Sequence, residues 1–350
     1  MAELVDAHDS KSCSSRSESS ILSSGTRMHL FFDLLITIGL IMTAYPAVIL
    51  LYSRSQRPQS WEYKNKMYSL ILSLIFFTGT AIFVWGSFIE PKIIVINYKN
   101  IDLEEIKKPI RIALISDMQI GSYKETLWIQ KIVDKTLALH PDIVLLAGDQ
   151  VDNATYRPEE FRYLEPLKQL AEQIPTYAIH GNHEYGIGGG KAIENPKYRV
   201  ADVSKEAREA VEKLGIHYLQ NDLEIISVND EQLYLFGADE WWGGVHDFSK
   251  LNMRDNSDIP TILLMHNPAA IPEILKLKDI DIMLSGHTHG GQIRLPFIGP
   301  VARVEDVPAK WHKGLHNINN MKLFVTSGIG ETGTRARLFN PPEIALLIIQ

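Results

Sequence analysis

The chain has 350 residues, of which 22% are charged and 45% are hydrophobic, so a wholly disordered or fibrous protein is excluded. The formal net charge of -7 argues against a dedicated nucleic-acid-binding protein, and we expect no nucleic acid among its partners. Cys13 is the only cysteine, which excludes an intrachain disulfide and a zinc site built from cysteines.

The first 27 residues are polar and rich in serine, which predicts a disordered tail. A second interpretation starts from the run AELVDAHDSKSCSSR, which is similar to conceptual translations of transfer-RNA genes at misassigned bacterial start sites. In that interpretation the protein starts at Met28, which directly precedes the first apolar stretch.

Two apolar stretches follow, at residues 30–51 and 67–89, and each is long enough to cross a bilayer as a helix. They predict a two-helix membrane hairpin over residues 28–90. The connecting loop, residues 53–66, has four basic residues and one acidic residue, and the positive-inside rule places such a loop in the cytoplasm. We therefore expect a multi-pass protein of the bacterial inner membrane, with the following domain outside the cytoplasm. The basic residues after the second stretch oppose this orientation.

From residue 91 onward, short apolar strands alternate with amphipathic helices, which predicts one α/β domain over residues 91–350. The predicted strands are 93–98, 111–116, 142–148, 176–182, 233–239, 261–267, 281–287, 322–328 and 343–349. The predicted helices are 124–139, 158–173 and 203–214.

Residue types that bind metals follow five of the predicted strands. These groups are Asp117-Met118-Gln119, Gly148-Asp149, Gly181-Asn182-His183, His266-Asn267 and Gly286-His287-Thr288-His289. Each group alone is a weak signal, but five groups at strand ends of one domain are hard to explain by packing. Open sheets place their sites at such ends. Carboxylate, amide and imidazole ligands suit divalent metals such as Mn²⁺, Fe or Zn²⁺.

Taken together, these motifs resemble the calcineurin-like metallophosphoesterase family over roughly residues 91–350. The segments GHTHGGQIRLPFIGP and GIGETGTRARLFNPPEI are similar to its membrane-associated branch, which includes bacterial phosphodiesterases and UDP-2,3-diacylglucosamine pyrophosphatases. The resemblance implies a four-layer α/β/β/α metallophosphoesterase sandwich, here preceded by two transmembrane helices.

The resemblance also implies a binuclear metal centre. Two divalent ions would share Asp149, and we expect Mn²⁺, with Fe, Zn²⁺ or Mg²⁺ as alternatives. The remaining ligands would be Asp117, Gln119 and His289 at the first ion, and Asn182, His266 and His287 at the second. His183 would stabilise the phosphate charge or protonate the leaving oxygen, while a hydroxide shared by the ions attacks phosphorus.

Gln119 departs from the family pattern, which has histidine at this position. An amide oxygen is a harder and weaker donor than imidazole. We therefore predict that the first ion binds less tightly and is Mn²⁺ or Mg²⁺ in preference to Zn²⁺. The alternative is that Gln119 does not bind metal.

Two further pairs of residues are possible substrate contacts. Arg335 and Arg337 lie in a glycine-rich loop, and arginine suits phosphate oxygens. The alternative for both is a solvated surface. Trp241 and Trp242 could stack on a substrate base, enter a bilayer interface or simply pack.

The sequence thus predicts a membrane-anchored phosphodiesterase or pyrophosphatase with a phosphorylated small molecule or lipid as its substrate. The sharper hypothesis is UDP-2,3-diacylglucosamine hydrolysis in lipid A synthesis, which requires a cytoplasmic catalytic domain and so conflicts with the predicted orientation. The alternatives are a broad cell-envelope lipid phosphatase and a non-catalytic, metal-dependent membrane-binding protein. Gln119 is the only support for the latter.

Overall fold

A computed structural model describes residues 10–121, 123–153, 157–256, 258–277, 279–304 and 306–350. The chain folds into two compact units. The helical unit runs to Lys92 and also includes Gly333–Leu338, and the sandwich unit comprises Ile93–Thr332 and Phe339–Gln350. A short loop that we predicted within the catalytic domain therefore belongs to the helical unit.

The helical unit contains α1 (Ser10–Gln56), α2 (Trp61–Lys64) and α3 (Lys66–Val84), followed by a π-helical turn and a 3₁₀ turn that end at Lys92. Residues 10–27 are helical in the structure, whereas we predicted a disordered tail for residues 1–27. Extending a helix that already exists adds one hydrogen bond per residue and needs no new nucleus, which favours this continuation. Residues 1–9 lie outside the described residues.

The segments Phe31–Gln56 and Lys66–Lys92 are both long and apolar enough to cross a membrane. Large apolar side chains such as Met42 and Ile75 point outward and are 66% and 60% exposed. The contacts between α1 and α3 use small and polar residues. Ser73 Oγ donates to the Ala47 carbonyl at 2.8 Å. This arrangement is typical of helices that associate within lipid.

The sandwich unit contains two six-stranded mixed sheets, in which most neighbouring strands are parallel. The first sheet has the order β1 (Val95–Ile101), β14 (Glu343–Ile349), β2 (Ile110–Ile115), β3 (Ile143–Ala147), β4 (Thr176–Ile179), β5 (His217–Tyr218). The second has the order β12 (Gly314–Ile318), β13 (Met321–Val325), β9 (Ile282–Ser285), β8 (Thr261–Leu264), β7 (Glu231–Gly237), β6 (Asp222–Val228). A separate two-stranded hairpin pairs β10 (Arg294–Leu295) with β11 (Gly299–Pro300).

Three apolar clusters establish the layers. The central cluster joins residues of the first sheet, such as Leu145, to residues of the second, such as Leu264, so the sheets pack face to face. Helices cover the outer face of each sheet. Those on the first sheet are α4 (Thr126–Leu137), a 3₁₀ helix (Pro158–Leu167), α5 (Lys168–Ala171) and α7 (Ser204–Glu212), and α8 (Ile271–Ile274) lies on the second. The predicted four-layer α/β/β/α sandwich is confirmed.

Each predicted strand has a counterpart in the structure, but some local details differ. The helix predicted over residues 158–173 is mostly a 3₁₀ helix, Pro158–Leu167, since in an α-helix the ring of Pro166 would clash with the carbonyl four residues earlier. Strands β5, β6 and β12 and the two hairpin strands, β10 and β11, were missed. They are edge strands with few fully buried residues, so they lack the apolar run of a central strand. A short helix, α6 (Gly190–Glu194), lies in the loop after β4.

Candidate metal centre

The predicted ligands all follow the carboxyl ends of inner strands. Asp117 and Gln119 follow β2, Asp149 follows β3, Asn182 follows β4, His266 follows β8, and His287 and His289 follow β9. All seven side chains are buried. Parallel strands end at the same edge of a sheet, and the two sheets face each other, so these side chains converge on one site.

We call Asp149, Asn182, His266 and His287 the second half-site. The Asn182 amide oxygen lies 2.7 Å from His287 Nδ1 and 3.2 Å from His266 Nε2. His266 Nε2 lies 3.2 Å from the Asp149 carboxylate. His266 Nδ1 faces the Ala147 carbonyl at 2.6 Å. That hydrogen bond places the proton on Nδ1 and directs Nε2 at the site.

We call Asp117, Gln119, Asp149 and His289 the first half-site. Ligand atoms of Asp117, Asp149 and His289 lie within 4.8 Å of one another, as do those of Asp149, His266 and His287 in the second. Asp149 belongs to both sets, as expected for a shared ligand. The Gln119 amide nitrogen donates to Asp149 Oδ2 at 2.9 Å. Gln119 Oε1 is buried, and no described residue donates a hydrogen bond to it.

The charges of the site favour a cation. Burial lowers the pKa of His266, but the carboxylates of Asp149 and Asp117 outweigh this effect and raise that pKa to about 10. Burial and the neighbouring His266 hold the pKa of His287 well below its ordinary value. Within the described chain, His287 Nε2 has no hydrogen-bond partner. Buried carboxylates, a neutral imidazole and an unpartnered amide oxygen together fit divalent metal ions.

The backbone of the site is strained. The residues Asp117, Gln119, Asp149, His287 and His289 have φ between 48° and 69°. This left-handed region is uncommon for any residue other than glycine. Close packing adds a second constraint, because a Cβ on Gly181 would lie 2.1 Å from Asp149 Oδ1. The turns after the strands are therefore built to aim side chains into the site.

Glu184 supports the loops that carry the ligands. Its carboxylate accepts hydrogen bonds from the backbone amides of Gly181 at 2.7 Å, Asp149 at 3.1 Å and Val151 at 3.2 Å. Burial and the charge of Asp149 raise the pKa of Glu184 to about 7. Glu184 thus ties the loop after β3 to the loop after β4.

His183 lies next to Asp149, the residue common to both half-sites. Its backbone amide donates to Asp149 Oδ1 at 2.9 Å, and its ring Nδ1 faces the Asp152 carbonyl at 2.5 Å. Nδ1 therefore carries the hydrogen of that bond, and Nε2 is the atom available for proton transfer. Burial lowers the pKa of His183, but Asp149 and Asp152 outweigh it and raise the pKa.

Thr332 was not singled out in the sequence. Its hydroxyl oxygen lies 3.4 Å from His183 Nε2, and its amide donates to the Gln292 side-chain oxygen at 2.7 Å. The segment before it passes the first half-site, where the Gly330 amide donates to the Asp117 carbonyl at 2.6 Å. The sequence feature that could have identified Thr332 is its position, since residues 326–332 follow an inner strand, β13, as the groups of predicted ligands do.

The two tryptophans occupy different places. The Trp242 ring packs edge-on against the His287 ring, with centroids 4.5 Å apart. The Glu240 carboxylate accepts from the Trp242 amide at 2.6 Å and holds this loop in place. Trp241 packs against His246 instead. Trp242 is therefore a residue of the metal centre.

Arg335 and Arg337 belong to the helical unit. Arg335 forms an ion pair with Asp33 near the start of the first apolar segment. The Arg337 side chain is fully buried, and its backbone amide donates to the Gly86 carbonyl at 2.9 Å. These contacts assign both arginines to the packing of the loop Gly333–Leu338, and their predicted contact with substrate stays a prediction.

The fold and the two half-sites that share one carboxylate define a binuclear metallohydrolase. The profile of the calcineurin-like phosphoesterase family matches residues 110–291. The chain belongs to this family and is a metallophosphoesterase, a hydrolase acting on phosphoester bonds.

Two relatives identified by sequence agree with this assignment. Phosphodiesterase YaeI of Escherichia coli (strain K12) is 30% identical over 241 residues, covering 68% of this chain and 82% of that protein. The transmembrane protein with metallophosphoesterase domain of Danio rerio is 26% identical, covering 86% of this chain and 67% of that protein. A solved dimetal phosphatase from Danio rerio is 11% identical, with a TM-score of 0.38 over 63% of this chain and 88% of that chain.

Proposed function

We propose that the protein is a membrane-anchored phosphohydrolase that cleaves a phosphodiester or pyrophosphate bond in an amphiphilic substrate. The observation that carries this proposal is the pair of buried half-sites around Asp149, with His183 beside them. When bound, two divalent ions would supply the Lewis acidity that activates water and neutralises phosphate charge.

The predicted site residues have separate roles in metal binding and proton transfer. Asp149 would be shared between the ions, with Asp117, Gln119 and His289 on one side and Asn182, His266 and His287 on the other. His183 would pass a proton from Nε2 to the leaving oxygen, since the Asp152 carbonyl holds Nδ1. Mn²⁺ is the ion we expect, because Gln119 replaces an imidazole by an oxygen donor in the first half-site.

The helical unit supports membrane anchoring. Its two long segments expose apolar side chains outward and place Ser73 and Thr80 between the helices. An anchor would hold the catalytic domain at the bilayer surface of the bacterial inner membrane and raise the effective concentration of an amphiphilic substrate. The name of the Danio rerio relative is consistent with this reading.

UDP-2,3-diacylglucosamine is the sharpest substrate proposal, and its test is topology. UDP-sugars are cytoplasmic, whereas the basic loop of residues 53–66 predicts an external catalytic domain. A reporter fused after Gln350 distinguishes the two orientations. A cytoplasmic fusion supports this substrate, and an external one rules it out and leaves a lipid phosphoester of the cell envelope.

The enzymatic proposal is tested with bis-p-nitrophenyl phosphate and Mn²⁺, using purified full-length protein in detergent. We expect hydrolysis by the wild type and loss of it in Asn182→Ala and His183→Ala. The matched controls are Asn252→Ala and His217→Ala, whose side chains lie on the surface. Equal activity in the site variants and the controls would overturn the proposal.

A further inference from the structure

The hairpin of β10 and β11 exposes a cluster of apolar side chains. Four residues of its turn and flanks are exposed: Leu295 at 39%, Phe297 at 109%, Ile298 at 70% and Val301 at 61%. Single exposed apolar residues are normal, but an exposed group of large ones marks an interaction surface. We call residues 295–301 the apolar tip.

The turn of the apolar tip has an unusual conformation. Phe297 has a φ of 67°, a region in which a bulky residue is an outlier. The Ile298 amide donates to the Leu295 carbonyl at 3.2 Å and closes the turn. Phe297 is therefore held in an unfavourable backbone conformation while its side chain is fully exposed. Folding of the sandwich gains nothing from this arrangement, which points to a binding role.

The base of the hairpin is fixed to the metal centre. Arg294 begins β10 only five residues after the ligand His289, and its guanidinium donates to the Gly290 carbonyl at 2.7 Å. A Cβ on Gly291 would lie 2.3 Å from the Pro300 side chain, so β11 packs directly on the backbone that follows the ligand. Whatever the apolar tip binds is thereby held at a set distance from the metal centre.

The charges around the hairpin identify the partner. Residues 293–313 contain four basic and two acidic residues. Arg294 and Arg303 both act on His312, whose pKa is lowered first by burial and then by these two charges. An apolar turn flanked by basic residues is the composition of segments that enter the interface of an anionic bilayer. The two long apolar helices already point to a membrane as the surroundings of this chain.

We propose that the apolar tip inserts into the interface of the membrane in which the helical unit is anchored. The metal centre would then take its phosphoester from a lipid whose headgroup lies at that surface. This inference rests on the proposed membrane-anchored phosphohydrolase and deepens it, because it names a lipid bilayer as the surface from which the substrate comes.

A fluorescent label tests the insertion without any catalysis. In full-length protein with Cys13→Ser, Phe297→Cys or Ile298→Cys is labelled with an environment-sensitive nitrobenzoxadiazole dye and reconstituted into nanodiscs containing phosphatidylglycerol. The control is Met253→Cys, 72% exposed at the end of a 3₁₀ helix. We expect blue-shifted emission and quenching by brominated lipid at 297 and 298, and neither at 253. The same aqueous emission at all three positions would overturn the inference.

Kinetics test the consequence for substrate access. We compare Phe297→Asp/Ile298→Asp with the control Val245→Asp/Met253→Asp, using a nitrophenyl phosphodiester of dioleoylglycerol in vesicles and water-soluble bis-p-nitrophenyl phosphate. The ratio of the two rates should fall about tenfold or more in the tip variant only, since apolar burial would be lost. An unchanged ratio contradicts the inference. A wild type inactive on both substrates refutes the proposed function instead, and the label experiment still decides the insertion.

Discussion

The two half-sites of the metal centre share Asp149 but differ in how ready they are to bind an ion. In the second half-site, the Asn182 amide oxygen already lies between two imidazoles, at 2.7 and 3.2 Å. In the first, Gln119 turns its amide nitrogen toward Asp149 and keeps its oxygen buried. The second half-site has its donor atoms in place and needs only the loss of a proton from His266, whereas the first must rearrange one hydrogen bond before Gln119 can bind through oxygen.

This difference assigns separate tasks to the two halves. Four side chains that follow four different strands meet in the second half-site, so it should fill first and tightly. The first half-site carries the departure from the family pattern, so it should determine which metal the enzyme prefers. Four experiments test this difference between the half-sites.

The largest effect is expected from Asp149→Asn, which removes the ligand common to both halves. Losing both ions removes several kcal/mol of transition-state stabilisation, so kcat/KM should fall about 10³–10⁴-fold. Metal content measured by mass spectrometry should fall at both halves. Asp134→Asn, in the helix α4, is the control. Retention of one tightly bound ion would show that Asp149 is not shared.

Gln119→His directly tests the first half-site, which we predict to bind its ion less tightly. An imidazole should tighten binding of Zn²⁺ at the first half-site by about tenfold or more while changing Mn²⁺ binding less. The measurement is titration of each metal into stripped wild-type and variant protein. If the two proteins bind every metal with equal affinity, Gln119 has no part in metal choice.

Proton release tests the second half. His266 keeps its proton up to a pKa of about 10 in the metal-free protein, and it must lose that proton to bind an ion. Mn²⁺ affinity should therefore weaken by about tenfold for each pH unit below that value. The raised pKa also stabilises the metal-free fold below the ordinary histidine pKa, and this stabilisation is lost as the pH rises through about 10. Calorimetry in two buffers of different ionisation enthalpy measures the release, and its absence would contradict the assignment.

The smallest effect is expected from Thr332→Val, which changes neither half. Loss of the hydroxyl beside His183 Nε2 should lower kcat about tenfold for substrates with poor leaving groups, because these need the proton. Activity on p-nitrophenyl esters should change less, and Thr332→Ser should restore activity. An equal loss on all substrates would indicate a structural role for Thr332 instead.

Much of the sandwich and of its metal centre could be predicted because inner strands carry continuous apolar runs. The strand before Asp149 is buried at every position, so its pattern fixes both its end and the location of the ligand. Repeated polar groups at such ends were enough to locate the seven buried side chains that the structure brings together. Their predicted roles as metal ligands and their grouping into halves came from the family resemblance.

Other features depend on contacts distant in sequence. Thr332 lies 149 residues from His183, and no local pattern links them. Arginine in a glycine-rich loop predicts a phosphate contact equally well whether or not an acidic side chain lies nearby, so the Arg335–Asp33 pair could not be anticipated. In the sequence, the apolar tip lies within the segment GHTHGGQIRLPFIGP, which indicates only a family resemblance. The three-dimensional structure of the turn is needed to show that Phe297 is fully exposed.

The left-handed backbone at five predicted metal ligands has a consequence for how the sequence of this protein can evolve. Each such residue costs about 1–2 kcal/mol relative to glycine, so glycine at any of them would relieve strain. Selection for heat resistance alone would favour those replacements and erase the donors one after another. At these five turns, stability and catalysis therefore place opposite demands on the sequence. A variant that is no longer selected for activity should lose these side chains first.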